Sequence, residues 1–184
     1  MKHKILAWLW RWAAYLASRF LYGPWSKLYR KLFERKYKEF PKDLPWSPAK
    51  VLDFFRECEW VADKWYMLWD AISKPEKFYS TKTGDCDEFA AMAGAVMEPP
   101  KYLMSVNWYD PKKGFKTFGG HNVLVYFRKD SGLWQISNWG LFGPYTKFYD
   151  MIYEIPPKDS IPCAYAVREV DDLNWIVGER LKRK

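Results

Sequence analysis

Patterning along this chain predicts an α+β fold, with helices first and an antiparallel sheet after them. Three observations carry that expectation. Apolar residues recur at helical spacing through the first half, as far as Pro99-Pro100. Beyond that point the apolar runs become short and alternating, and Gly119-Gly120 and Gly132 punctuate them. At 184 residues, 49% hydrophobic and 28% charged, the chain can bury one full core and carry an appendage.

Residues 4–22 read as a helix broken by Gly23-Pro24, with Ile5, Trp8, Leu9, Trp12, Leu16 and Phe20 along one face. Arg11 and Arg19 interrupt the apolar run, which argues against a bilayer span, and a Trp-heavy middle is atypical of a signal peptide. An interfacial helix, or one docked on the body or on a partner, fits the pattern. Residues 25–40 continue as a basic helix with Leu28, Leu32, Phe33 and Tyr37 along one side. Pro41, Pro45 and Pro48 then form a rigid connector, which divides a basic amphipathic arm, 1–44, from a body, 45–184.

Within the body, residues 49–72 are expected as a third helix burying Val51, Leu52, Phe55, Val61, Trp65, Leu68 and Ile72. A loop around Lys74-Pro75 leads to a helix from Cys86 to Met97. Strands are expected at about 102–108, 121–128, 133–138, 148–154 and 163–169, with a last helix at 171–182 and a basic tail, Lys182-Arg183-Lys184.

The net charge of +8 is concentrated. Residues 1–42 hold eleven Lys or Arg against two Glu, and the remainder holds nineteen against twenty acids. A basic arm attracts an anionic membrane surface, an acidic partner protein or nucleic acid. Aromatic and basic residues interleave there as a nucleic-acid stacking surface would need, although no nucleic-acid motif accompanies them. Twelve Trp, thirteen Tyr and twelve Phe exceed what a core needs, so some are expected to face a partner. Three cysteines (Cys58, Cys86, Cys163) without C-x-x-C spacing argue against a disulfide framework or structural zinc. They suit a reducing setting, cytoplasmic or membrane-associated.

Cys86 lies in Gly84-Asp85-Cys86-Asp87-Glu88-Phe89-Ala90, at the mouth of its helix, and His121 heads the run His121-Asn122-Val123-Leu124-Val125. Thr83 or Asp85 can cap the helix, whose N-terminal dipole favours a thiolate. The neighbouring acids oppose it, and an imidazolium at His121 would offset them. Small residues at Ala90, Ala91, Ala93, Gly94 and Ala95 let the helix approach the strands closely. If the hairpin turn is Lys129-Asp130-Ser131-Gly132 with 129 opposite 132, Asn138 shares a face with His121; a one-residue slip puts Ser137 there instead. Cys86, His121 and Asn138 form a candidate nucleophile set.

These residues carry a resemblance. The run Asp70-Ala71-Ile72-Ser73-Lys74-Pro75-Glu76-Lys77-Phe78, followed by the cysteine and histidine blocks, resembles the transglutaminase-like cysteine peptidases of the papain-like superfamily. It is nearest their bacterial branch, whose pattern is a Trp-Pro-Phe lead, G-D-C-E-D-Y, H-x-V-L and a late L-D-N. The likeness covers roughly residues 63–140. It implies a papain-like, transglutaminase-like core with Cys86 as nucleophile and His121 as base. The family's third member, usually Asp, meets Ser137-Asn138 here; Asn orients a neutral imidazole but stabilises imidazolium less than a carboxylate does.

The implied activity is a thiol-dependent hydrolase cleaving a peptide, isopeptide or side-chain amide bond, or a transglutaminase if an amine replaces water. The Cys86 backbone N–H is one oxyanion donor, with a second near Trp65 or Trp69. Some relatives bind calcium beside the cysteine. At Asp85, Asp87 and Glu88, solvated helix-start acids are the preferred reading, and no cofactor is expected. The competing function is a catalytically silent transglutaminase-like module that engages a partner or membrane through its basic, Trp-rich arm.

Overall fold

The computed structural model describes residues 2–62, 71–112 and 118–181. Its fold is α+β, as the patterning predicts. Helix α1 (Lys2–Leu16) runs through a π-helical turn (Ala17–Tyr22) into α2 (Gly23–Phe33) without a break. Pro24 falls where the π-helical turn passes into α2 and the backbone stays helical through it, so Gly23-Pro24 does not end the helix as expected. Gly23 lies against the body, where an added Cβ would come within 2.8 Å of the Leu173 carbonyl.

The basic helix stops at Phe33 instead of continuing to 40 because the next residue is drawn inward. Glu34 is buried, its carboxylate accepting from the Lys74 amide at 2.7 Å and pairing with Lys77 at 3.0 Å. Arg30 donates to the carbonyls of Ile72 and Ser73. The arm is thereby fastened to the body on both sides of its last turn.

Helix α3 (Pro48–Arg56) is capped by Ser47 and is shorter than the expected 49–72. Its successor is a strand, β1 (Glu59–Trp60), paired in parallel with β2 (Thr83–Gly84). Trp65, Trp69 and Leu68 lie outside the described residues, as does the basic tail. Helix α4 (Pro75–Thr81) occupies the expected loop, and α5 (Cys86–Val96) follows β2 directly.

The main sheet comprises β3 (Lys101–Tyr109), β4 (Phe118–Arg128), β5 (Gly132–Ser137), β6 (Gly140–Tyr145), β7 (Ile161–Glu169) and β8 (Trp175–Arg180). It is antiparallel throughout, in the order β6-β5-β4-β3-β7-β8. Two expectations are corrected here. Residues 148–154, expected as a strand, form helix α6 (Phe148–Glu154), because Phe148, Met151, Ile152 and Ile155 follow helical spacing and bury one side. Residues 171–182, expected as a helix, contain edge strand β8, rich in Trp175, Ile176 and Val177.

Alternation divides the sheet into two faces. Leu103, Leu124, Tyr126 and Ile136 pack with α3, α4 and α5 in one core. Met104, Val123, Val125 and Val167 pack with α6 in the other. Helix α1 joins the α5 side, where Trp10 and Ala14 meet Tyr109, Cys163 and Ala164. Helix α5 rests on the strands through its small residues: a Cβ on Gly94 would lie 2.6 Å from a Val170 methyl and 3.1 Å from Leu124. Gly94→Val is therefore expected to cost about 2–3 kcal/mol by forcing helix and sheet apart, measurable by urea denaturation.

Candidate active site

Asp85 is the N-cap of α5, so Cys86 opens the helix. A capping box closes around it: Asp85 Oδ1 accepts from the Asp87 amide at 3.1 Å, and Glu88 Oε2 accepts from the Asp85 amide at 2.9 Å. Glu88 Oε1 takes the Ser73 amide at 3.3 Å, and Asp87 Oδ2 accepts from the Tyr22 hydroxyl at 2.9 Å. The three carboxylates come close enough together to suggest cation ligands, yet these bonds engage each of them in fixing the helix start. Burial, and then the charge of Asp85, push the Glu88 carboxyl up toward its neutral form.

Cys86 Sγ accepts from two donors on β4. The backbone N–H of Asn122 reaches it at 3.4 Å and Asn122 Nδ2 at 3.9 Å. Strand β5 pairs with β4 only from Leu124 onward, so the Asn122 amide points into space that β5 does not fill. The sulfur stands there. Such donors favour thiolate over thiol.

Every polar group of the Asn122 amide has a partner. Nδ2 also donates to the Tyr22 hydroxyl at 3.1 Å, and Oδ1 accepts from Ser105 Oγ. Ser105 in turn accepts from Arg168 Nη1 at 3.4 Å, and Arg168 Nη2 donates to the Ser18 carbonyl. This network joins the π-helical turn, α5, β3, β4 and β7 around the sulfur. Sequence reasoning passed over Asn122, Tyr22 and Ser105. The alternation of β4 held the signal for Asn122, since it groups that residue with Leu124 and Tyr126 on the face α5 covers.

His121 lies on the next position of the strand and belongs, by alternation, with Val123 and Val125 on the α6 side. It is only 4% exposed, and the Trp139 indole stacks on it at 3.8 Å and 6°. Burial pushes the imidazole down to about 4, partly offset by the charge of Asp85. His121 is thus neutral at ordinary pH, and the imidazolium expected to balance the acids is not the resting form. Cys86, His121 and Asn122 nevertheless line one cavity of about 290 Å³, whose far wall is built by Trp10, Ala14 and Ser18 of the arm.

The hairpin register is the slipped alternative, with Arg128 opposite Gly132 and a three-residue loop. Gly132 takes φ +90°, a left-handed conformation that closes a loop one residue longer than the expected turn. This brings Ser137 onto the His121 side of the sheet, where its Oγ accepts from the Trp139 amide at 3.1 Å. Asn138 and Trp139 form the tight turn into β6, and among the described residues neither Asn138 Oδ1 nor His121 Nε2, both buried, has a hydrogen-bond partner. Among the described residues no hydrogen bond joins His121 to Cys86 or to Asn138. No protein-family model matches the chain, and no curated protein matches it.

Proposed function

We propose that the chain is a thiol-dependent hydrolase of papain-like, transglutaminase-like type, cleaving an amide bond through an acyl-enzyme on Cys86. The observation that carries this reading is the placement of Cys86 Sγ at a helix start, held by the Asn122 amide inside a cavity that His121 also lines. Because His121 rests neutral, it enters as a base. It takes the thiol proton as sulfur bonds to the carbonyl carbon, then returns that proton to the nitrogen as the C–N bond breaks. Water releases the acyl group and regenerates the thiol. Asn122 Nδ2 supplies a donor for the developing oxyanion.

A catalytically silent binding module is the second reading, and one observation favours it: the side chain that reaches the sulfur is Asn122, while His121 alternates to the other face.

Competition among the three thiols separates the two. Burial pushes Cys58 and Cys163 each up to about 11. With iodoacetamide at pH 7.5, mass spectrometry is expected to find Cys86 alkylated roughly a hundredfold faster than either. His121→Ala should remove most of that advantage. Equal labelling of the three thiols, or an unchanged rate at Cys86 after His121→Ala, would leave only the binding module.

A further inference from the structure

Among the described residues, nothing packs on one face of α1 and of the π-helical turn. Ile5, Trp8, Leu9, Leu16, Phe20 and Leu21 are between 44% and 65% exposed, although the opposite side of the same helix seals the core through Trp10 and Ala14. From Ile5 to Phe20 the exposed stripe is roughly 22 Å long at the rise of an α-helix. A monomer rarely leaves an apolar surface of this size to water.

The charges around the stripe identify what covers it. The Arg19 guanidinium lies 5.3 Å from the Phe20 ring centre, and that of Arg180 lies 3.8 Å from the centre of Trp12. Cations therefore stand along the border of the stripe, their guanidinium groups over its aromatic rings. Further along, Lys27, Lys31, Arg35, Lys36 and Lys38 are exposed, while Glu34, one of the two acids in residues 1–42, is buried against Lys77. A second copy of the chain would set residues 1–42, with eleven Lys or Arg against two Glu, beside the same segment of its partner, so self-association through this face meets like-charge repulsion. Among the described residues no helix is long and apolar enough to cross a membrane. An apolar stripe with aromatic rings, edged by cations and too short to span, suits the boundary between headgroups and acyl chains.

We propose that this face docks on an anionic lipid surface, with α1 lying in the plane of the interface. Docking would bring the cavity to that surface, because Trp10, Ala14 and Ser18 on the other side of the helix form its wall. The inference is independent of whether Cys86 reacts.

Sedimentation of the full chain with vesicles tests it. Vesicles of phosphatidylcholine with one quarter phosphatidylglycerol are expected to carry the protein down in 0.1 M salt, and pure phosphatidylcholine vesicles to carry little. Raising salt to 0.5 M should weaken binding. The double variant Leu9→Ser/Phe20→Ser keeps the charge and is expected to weaken binding at least about tenfold, with an unchanged thermal midpoint because both side chains are exposed. Equal binding to neutral vesicles, or undiminished binding by the double variant, would overturn the proposal. So would a salt-stable dimer that this variant abolishes, or a single-stranded oligonucleotide that displaces the protein from the vesicles.

Discussion

Acidification from pH 6.5 to pH 4 is expected to remove about 3 kcal/mol of stability through His121 alone. The imidazole is held at about 4 in the folded chain, against an ordinary value of 6.5, so across this window the unfolded chain binds the extra proton. Stability therefore rises with pH through the window. The contribution is complete above 6.5, is lost progressively below it, and is exhausted under about 4. Glu88 works in the opposite sense, since its raised folded pKa means that the folded chain takes up a proton first as pH falls. The His121 share is isolated by His121→Phe, which keeps a ring against Trp139 and cannot titrate. Between pH 7.5 and 4 the native chain should lose roughly 6–12 °C more of its melting temperature than the variant. Equal acid sensitivity in the two chains would show that His121 is not desolvated, and the neutral-base step in the proposed reaction would fall with it.

How far that site was legible in advance depends on whether each feature is local. Asp85 and Glu88, three residues apart, announce a capping box, so the start of α5 and the place of Cys86 at its mouth follow from short-range chemistry. The small residues after Phe89 likewise announce a helix pressed on its neighbours, as Gly94 against Val170 bears out. Strands β3, β4, β5 and β7 alternate clearly and were placed within a few residues. Strand β6 was missed because Gly140, Gly143 and Pro144 read as loop residues. Helix α6 was misread because its aromatics and Ile152 favour strands, although their spacing is helical.

The register of β4 against β5 turned on the conformation of Gly132, a choice of turn that the hydrophobic pattern leaves open. The arm posed a different difficulty. Its amphipathic stripe was visible, but the residues that dock it are Trp10, Ala14, Ser26 and Glu34, which lie off that stripe or within a basic run. Burying them is a decision of the whole fold. Hence a chain whose charge divides cleanly at residue 42 has no such division in its packing, and Tyr22 and Ser18 of the arm hold the network around Cys86.

Arg168 ties that network together, and its removal should be the most damaging single change outside the sulfur itself. The side chain is 1% exposed and stands among the largest fully buried groups. Among the described residues no carboxylate pairs with it. Its charge is held by the Ser18 carbonyl, by Ser105 Oγ, and by the faces of Tyr22 and Trp175 at 5.2 Å and 5.7 Å. Desolvation consequently pulls its pKa down. Arg168→Ala opens a cavity between the arm and β7 and strands the Ser18 carbonyl, for an expected loss of about 3–5 kcal/mol in urea denaturation. Arg168→Met refills most of the volume and removes the cost of burying an unpaired cation, so its loss should stay under about 2 kcal/mol. If packing were all that Arg168 contributes, Met would also restore the alkylation rate of Cys86. The hydrogen-bonded path from Arg168 through Ser105 to Asn122 predicts otherwise: stability returns with Met while the sulfur stays slow, because the amide that holds it is no longer fixed. A stable Arg168→Met chain with native reactivity at Cys86 would reduce Arg168 to a structural cation.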